Sequence, residues 1–290
     1  MLGQTIVNGL LLGGLYAIAS IGFSMVWGVM GIINLAHGAF IMVGAYASYA
    51  LFTYAGIDPF VSIPASMLLL FVLGYAIQRF LLNALMRTSL LLSLVLTFGI
   101  DLMLVNIAML IFSADLRSVN TSYSGTSLEL GDMLVPYVRL AAFILALALA
   151  GGFYLFLSRT RAGQAILATA LDKETARLMG IDPFRVYALT AGAGAALAGA
   201  AGSLGSMLFP VSPTMGVTFI GSVFVITVLG GIGSIEGAVL AGMVYGLIQA
   251  FAASFLGVNY QQIVAFLMFL VILVLRPQGL LGKRFYGEAT

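Results

Sequence analysis

Three polar residues stand inside otherwise apolar sequence. Asn34 and His37 lie in G28-V-M-G-I-I-N-L-A-H-G-A-F40, and His37 is the only histidine in 290 residues. Asp101 lies within L90-L-L-S-L-V-L-T-F-G-I-D-L-M-L-V-N106. An ionised aspartate at the centre of a membrane helix costs roughly 2.5–3.5 kcal/mol, so it must face protein or water, or take up a proton. Counted inward from the cytoplasmic helix ends at ~1.5 Å per residue, His37 comes to ~12 Å and Asp101 to ~18 Å, deep enough to be neighbours. A carboxylate beside the imidazole would form a charged pair that latches two spans together. Alternatively Asp101 is satisfied by local hydroxyls, or meets a cationic group passing through the membrane.

A second candidate is R159-T-R-A-G-Q-A-I-L-A-T-A-L-D-K-E-T-A-R-L-M-G-I-D-P-F-R185, longer and more polar than a link between two spans requires. Asp172 suits an N-cap, with Glu174 in the first turn where the helix dipole favours negative charge. Arg177 falls in the last turn and Gly180 just beyond, a C-terminal stop. The pattern predicts a short helix near 173–179, with 162–171 also helical. A capped helix between two spans is a rigid object that a partner can grip; the plainer reading is a solvated loop on the headgroups.

The elements that must position these residues follow from composition. The chain is 62% hydrophobic and 8% charged, with a mean hydropathy of +1.14. Soluble domains carry about 25% charged residues, so this is an integral membrane protein. Apolar runs of roughly 20 residues cross a ~30 Å hydrocarbon core as helix. The runs are continuous, not alternating, which favours helices over a barrel. The expected fold is all-α: one transmembrane domain over 1–290, a polytopic bundle of about 8–9 spans, some glycine-broken or re-entrant. Spans are expected near 5–28, 29–52, 60–78, 89–112, 138–158, 186–209, 215–232, 236–256 and 259–275; the second and seventh are the glycine-rich ones. The N-terminus lacks the basic region of a cleavable signal, so the first run reads as a retained span.

Orientation follows Lys and Arg, which favour the cytoplasmic side. Arg79 and Arg87 flank one loop; Arg159, Arg161, Lys173, Arg177 and Arg185 fill 159–185; Arg276, Lys283 and Arg284 sit in the tail. Loop 113–137 carries Arg117 against Asp115, Glu129 and Asp132, so it is placed outside. Parity then puts the N-terminus outside, which requires 5–52 to cross twice. The segments V26–Y46 and V228–G246 resemble each other and, in this topology, turn at the same side in the same sense, as in a parallel repeat.

Small residues let membrane helices approach closely. Gly9 and Gly13, Gly242 and Gly246, and Gly194, Ala198 and Gly202 form three such faces. They serve packing inside the bundle, or one meets a second subunit. Glu236, after Ser234, reads as a first-turn charge. No G-x-x-x-x-G-K-[ST] phosphate loop occurs. One histidine, no cysteine and no clustered carboxylates leave no metal or acid–base site, and a net charge of +2 does not point to nucleic acid.

Three segments carry a resemblance. N8–Y46 resembles the opening of permeases of branched-chain amino-acid ABC importers, A168-T-A-L-D-K-E-T-A-R-L-M-G-I-D182 resembles their cytoplasmic loop, and V228-L-G-G-I-G-S-I-E-G-A-V-L-A-G242 resembles their C-terminal glycine motif. In length the chain resembles the first, shorter permease subunit. The resemblance implies a bacterial inner-membrane importer subunit with no cofactor of its own. It also implies a second permease subunit in a heterodimer, two cytoplasmic ATPase subunits that use ATP, and an external substrate-binding protein. It further implies that Asp172, Lys173, Glu174, Ala176, Arg177 and Gly180 belong to a coupling helix docked on an ATPase. Asn34, His37 and Asp101 then fall beside the translocation path, where Asp101 would meet an amino acid's ammonium group. Urea- and amide-importing relatives share the motifs, and a stand-alone secondary transporter or channel is the reading from another class.

Overall fold

The computed structural model describes residues 2–85, 90–131, 133–276 and 279–281. Arg87, Asp132, Lys283 and Arg284, counted above in the charge pattern, lie outside them. The elements run α1 Leu2–Met30, α2 His37–Ala55, α3 Pro59–Ala76, a π-helical stretch Ile77–Leu82, a turn α4 Asn83–Leu85, and α5 Leu90–Phe112. A hairpin of β1 Ser127–Leu130 and β2 Met133–Pro136 follows, then α6 Tyr137–Arg159, α7 Arg161–Leu171, α8 Lys173–Leu178 and α9 Pro183–Leu208. The chain continues through α10 Met215–Gly230, α11 Ile235–Phe255 and α12 Gln261–Leu275. Among the described residues eight helical segments are long and apolar enough to cross a membrane, and α10 is a shorter apolar helix of 16 residues. These correspond to the nine expected spans. The glycine break falls between spans, at 31–36, where Gly31 takes φ 69°.

Local signals start and stop the helices where capping rules place them. Asp58 caps α3 by accepting from the Phe60 N–H at 2.9 Å, with Pro59 at the first helical position. Ser234 caps α11 by accepting from Gly237 at 3.0 Å, with Glu236 in the first turn as expected. Gly56 ends α2 in the left-handed region at φ 66°.

Helices α1 and α9 are the buried centre, each with 89% of an apolar 18-residue stretch inside the protein. Lipid supplies no hydrophobic drive for their association, so the contacts are backbone to backbone across glycine. A Cβ added to Gly13 would stand 2.7 Å from Met243 Cα, and one on Gly242 would stand 2.8 Å from Ala17 Cα. Gly194 lies against Gly22 and Val26 of α1, and Gly202 against Ile41 and Ala45 of α2. All three small-residue faces are therefore occupied within the chain. Of the two readings, packing inside the bundle is the one these contacts match. The two similar glycine segments turn at the same end, and Gly28 there faces Gly233, whose N–H donates to Ser24 Oγ at 2.9 Å.

The ends of the bundle sort by chemistry. At one end, Gln4 exchanges hydrogen bonds with the Leu134 backbone at 2.7 and 2.9 Å. Tyr123 donates to Asp58 Oδ2 there at 2.6 Å, and Arg117 pairs its backbone with Val211. At the other, Met30, Arg79, Lys173, Arg177 and Phe184 surround one cleft. The start of α1 thus lies with 113–137, and its end lies with the basic segment, so 5–52 crosses twice. The hairpin itself was not expected; its strands of four residues are too short to register as alternation.

Candidate functional site

Two places hold the candidate residues. The first is the segment 159–185 at the basic end. Thr160 Oγ1 accepts from Gly163 N–H at 3.0 Å and starts α7. Asp172 Oδ1 accepts from Glu174 and Thr175 N–H at 2.9 and 3.1 Å and starts α8. The Thr175 hydroxyl donates to the second oxygen of Asp172. That hydroxyl, together with the N–H donors, holds the Asp172 carboxyl below its ordinary pKa of 3.8. Ala176 is buried, and Arg177 occupies the last turn. Gly180 takes φ 85°, its N–H donating to Arg177 O at 3.0 Å while Ile181 N–H reaches Ala176 O at 3.1 Å. That left-handed residue turns the chain into Asp182, which caps α9 at Phe184 N–H and pairs with Arg185 at 3.1 Å. Lys173 and Glu174 sit 3.9 Å apart and exposed.

Three caps in 25 residues make this a fixed surface feature. Its outer side is apolar: Leu171, Leu178 and Met179 are 82, 87 and 79% exposed. Large side chains so exposed at the polar end of a membrane protein mark a contact face. Beside it a cleft of about 1190 Å³ is lined by Arg79, Lys173, Glu174, Arg177 and Asp182 among others. Gln78 and Asn83 were not expected as functional. Gln78 Nε2 donates to Asn83 Oδ1 at 3.0 Å, and Asn83 Nδ2 donates to Phe184 O at 3.0 Å. This buried amide pair ties the end of α3 to the first turn of α9. Its signal in the sequence was two amides on either side of Arg79, in an otherwise apolar stretch.

The second place is the break at 31–36. The first N–H groups of α2 have no intrahelical partner, and its N-cap residue, Ala36, provides no side-chain cap. The surroundings supply the acceptors. Asn34, buried, accepts from Ala36 N–H through Oδ1 at 3.1 Å and from His37 N–H through its carbonyl at 3.2 Å. Thr97 Oγ1 on α5 accepts from Leu35 N–H at 3.3 Å. Asp101, one turn further along α5, meets the Ala39 N–H. A carboxylate at a helix N-terminus is favoured by the dipole as well.

His37 is used differently. Its Nε2 donates to Ala19 O on α1 at 2.9 Å, and Phe23 packs edge-on against the ring at 5.5 Å. The expected His37–Asp101 pair does not form: the imidazole binds α1, and the carboxylate binds the α2 backbone. A backbone N–H is the nearer need, because it cannot move away from the break, whereas the imidazole finds a carbonyl on the central helix. Thr97 was missed, although its spacing of four from Asp101 puts both on one face of α5. A further buried network joins Tyr16 to Gln249 at 3.0 Å, Gln249 to Tyr245 at 3.2 Å, and Tyr245 to Ser222 at 2.9 Å. It closes α1, α10 and α11 around one polar knot.

The family model described as branched-chain amino acid transport system / permease component matches residues 5–273. The high-affinity branched-chain amino acid transport system permease protein BraD of Pseudomonas aeruginosa is 34% identical over 97% of this chain and 95% of its own length. The corresponding permease protein LivH of Escherichia coli K12 is 32% identical over the same shares. A probable LivH of Methanocaldococcus jannaschii is 26% identical over 92% of this chain and 89% of its own. No solved structure matches. With a family model spanning nearly the whole chain, and relatives above 30% identity aligned almost end to end, the chain belongs to the branched-chain amino acid transport permease family.

Proposed function

We propose that this permease forms part of the translocation path for branched-chain amino acids, in a bacterial inner-membrane ABC importer. Separate cytoplasmic ATPases drive it through the 159–185 segment, and an external binding protein delivers the substrate. The observation that carries this reading is the rigid α7–α8 unit, capped at Thr160 and Asp172, which presents exposed Leu171, Leu178 and Met179 at the basic end. Closure of the ATPases would push α8, whose only exit is the Gly180–Asp182 turn into the central helix α9. Alternating access then follows as a rocking of the packed core. Such a path need bind solute only weakly, because the external protein supplies affinity.

In the sequence, Asp101 was also a candidate to meet the ammonium group of a passing amino acid. Its engagement with the Ala39 N–H supports a structural use instead, consistent with the branched-chain relatives. The test is uptake of labelled leucine into vesicles, with co-purification of ATPase subunits on the tagged chain. Glu174→Arg reverses a charge in the first turn, and Gly180→Pro is incompatible with φ 85° and removes the N–H to Arg177 O. Both should insert normally yet lose uptake and ATPase assembly. Normal uptake in both variants, or leucine transport by this polypeptide alone without ATP, overturns the reading.

A further inference from the structure

We propose that the outward face of α5, marked by Gly99, Met103, Asn106 and Leu110, receives a transmembrane helix of a second permease chain of this family. The proposal rests on the multi-subunit reading above and adds where the two chains meet. At about 100° per residue these four positions fall within roughly 60° of one another on the helix. All four are exposed, Met103 at 52% and Leu110 at 86%.

Two independent observations call for protein rather than lipid on this face. The first is Asn106. It stands six residues before the end of α5 at Phe112, roughly 9 Å inside the helix. Its Nδ2 donates back to Leu102 O at 2.7 Å, and its Oδ1 has no partner among the described residues. Polar side chains in membrane spans face protein or water, because acyl chains offer no hydrogen bond. The second is Gly99. Inside the bundle many helical glycines seat another backbone: Gly13, Gly22, Gly38, Gly44 and Gly202 each have main-chain atoms of a neighbouring helix where a Cβ would go. A Cβ on Gly99 would meet nothing within 4 Å.

Helix α5 is otherwise held only along its opposite side, where Ser93, Thr97, Ile100 and Leu104 are buried. Gly151 and Gly152 of α6 are also open, but exposed Ile144 and Leu155 beside them are apolar, and exposed Tyr154 stands five residues from the helix end at Arg159, the interfacial position tyrosine favours, so lipid satisfies that face. Among the described residues only the α5 face pairs an open glycine with an unsatisfied amide. The helix it fits carries a small residue opposite Gly99 and a hydrogen-bonding group opposite Asn106.

The chain has no cysteine, so single cysteines can be labelled selectively. Met103→Cys and Leu110→Cys, with Ile144→Cys on α6 and Leu267→Cys on α12 for comparison, would be coupled to a maleimide benzophenone in native membranes and illuminated. Mass spectrometry of the adducts should identify a second chain of this permease family from positions 103 and 110, and lipid from 144 and 267. Asn106→Leu should lower that adduct yield about 3- to 30-fold, the range expected for one interhelical polar contact, while Asn106→Gln keeps most of it. Lipid adducts alone from α5, permease adducts only from α6 or α12, or an unchanged yield in Asn106→Leu overturn the proposal. A parallel pull-down separates the two levels. If ATPases and a second permease co-purify while α5 captures only lipid, the contact face is wrong and the transport reading stands. If neither co-purifies, both fall.

Discussion

Replacing Asp101 tests what holds the interrupted segment together. In Asp101→Ala the Ala39 N–H at the start of α2 loses its acceptor. A hydrogen bond to a charged group contributes about 1.5–3 kcal/mol, and the helix dipole adds up to about 1 kcal/mol in the first turn. Asp101 is half-buried, so solvent screening brings the expected loss to the lower part of that range, about 1.5–2 kcal/mol. Asp101→Asn keeps an oxygen at the same place, and a neutral acceptor is roughly half as strong, so its loss should be about 1 kcal/mol. Thr97→Val, which removes the acceptor for Leu35 N–H, should also cost about 1 kcal/mol. The assay is reversible unfolding of the purified chain in mixed micelles, read by helicity. His37→Ala breaks a different bond, to Ala19 O on α1, so its loss should add to that of Asp101→Ala within about 0.5 kcal/mol. If Asp101→Asn costs as much as Asp101→Ala, and if His37→Ala abolishes the effect of either, an ion pair governs this site and the capping account is wrong.

Two further outcomes follow from the same geometry. The Asp172 carboxyl is held below its ordinary pKa of 3.8, so its contribution to α8 is fully present above that value and is lost as pH falls through the lower folded value. Hydrogen exchange of Glu174 and Thr175 amides should therefore stay slow from pH 7 down to about the unfolded pKa and quicken only in stronger acid; acceleration already at pH 5 to 6 contradicts the assignment. For packing, Gly13→Ala would place a Cβ 2.7 Å from Met243 Cα, whereas ordinary contact begins at 3.4 Å, forcing α1 and α11 apart at an expected cost of about 1–3 kcal/mol. Gly151→Ala meets nothing within 4 Å and should be neutral or stabilising by up to about 1 kcal/mol; equal losses in both would show that these contacts do not carry the α1–α11 interface.

What was legible in the sequence tracks the distance over which each interaction acts. The spans, and which loops share an end of the bundle, emerged because hydropathy is summed over some twenty neighbours, and because Arg and Lys collect in a few loops. The Asp172 cap and the first-turn place of Glu236 after Ser234 emerged because such signals act within three residues. The site at the break did not. Leu35 and Thr97 are 62 positions apart, and nothing local tells a hydroxyl on α5 that its acceptor will be used by α2. Asp101 and His37 were both visible as anomalies, but their partners are backbone groups, which every residue carries and no sequence pattern marks. The Tyr16–Gln249 bond, spanning 233 positions, was illegible for the same reason. The glycine faces were visible as faces. Which helix fills each one depends on the whole arrangement of the bundle.

That arrangement also determines how a push at the basic end must travel. Helices α1, α2, α9 and α11 touch backbone to backbone at their glycines, and at those points no long side chain stands between them to change rotamer and absorb a shift. Close-packed interiors pass strain on rather than dissipate it. At the entry point α8 is bonded into the turn before α9, Asp182 fixes the first N–H groups of α9, and Asn83 binds the Phe184 carbonyl to the end of α3. A displacement of α8 therefore has no slack to fill before it reaches α9 and α3 together. The softer joints lie elsewhere: in the break at 31–36, whose N–H groups are held in part by α5 side chains, and in α10, which is too short to span without the bonded turns at its two ends. If the core rocks as a body, these are the places where the backbone must change, and Thr97 and Asp101 set how firmly the first of them is held.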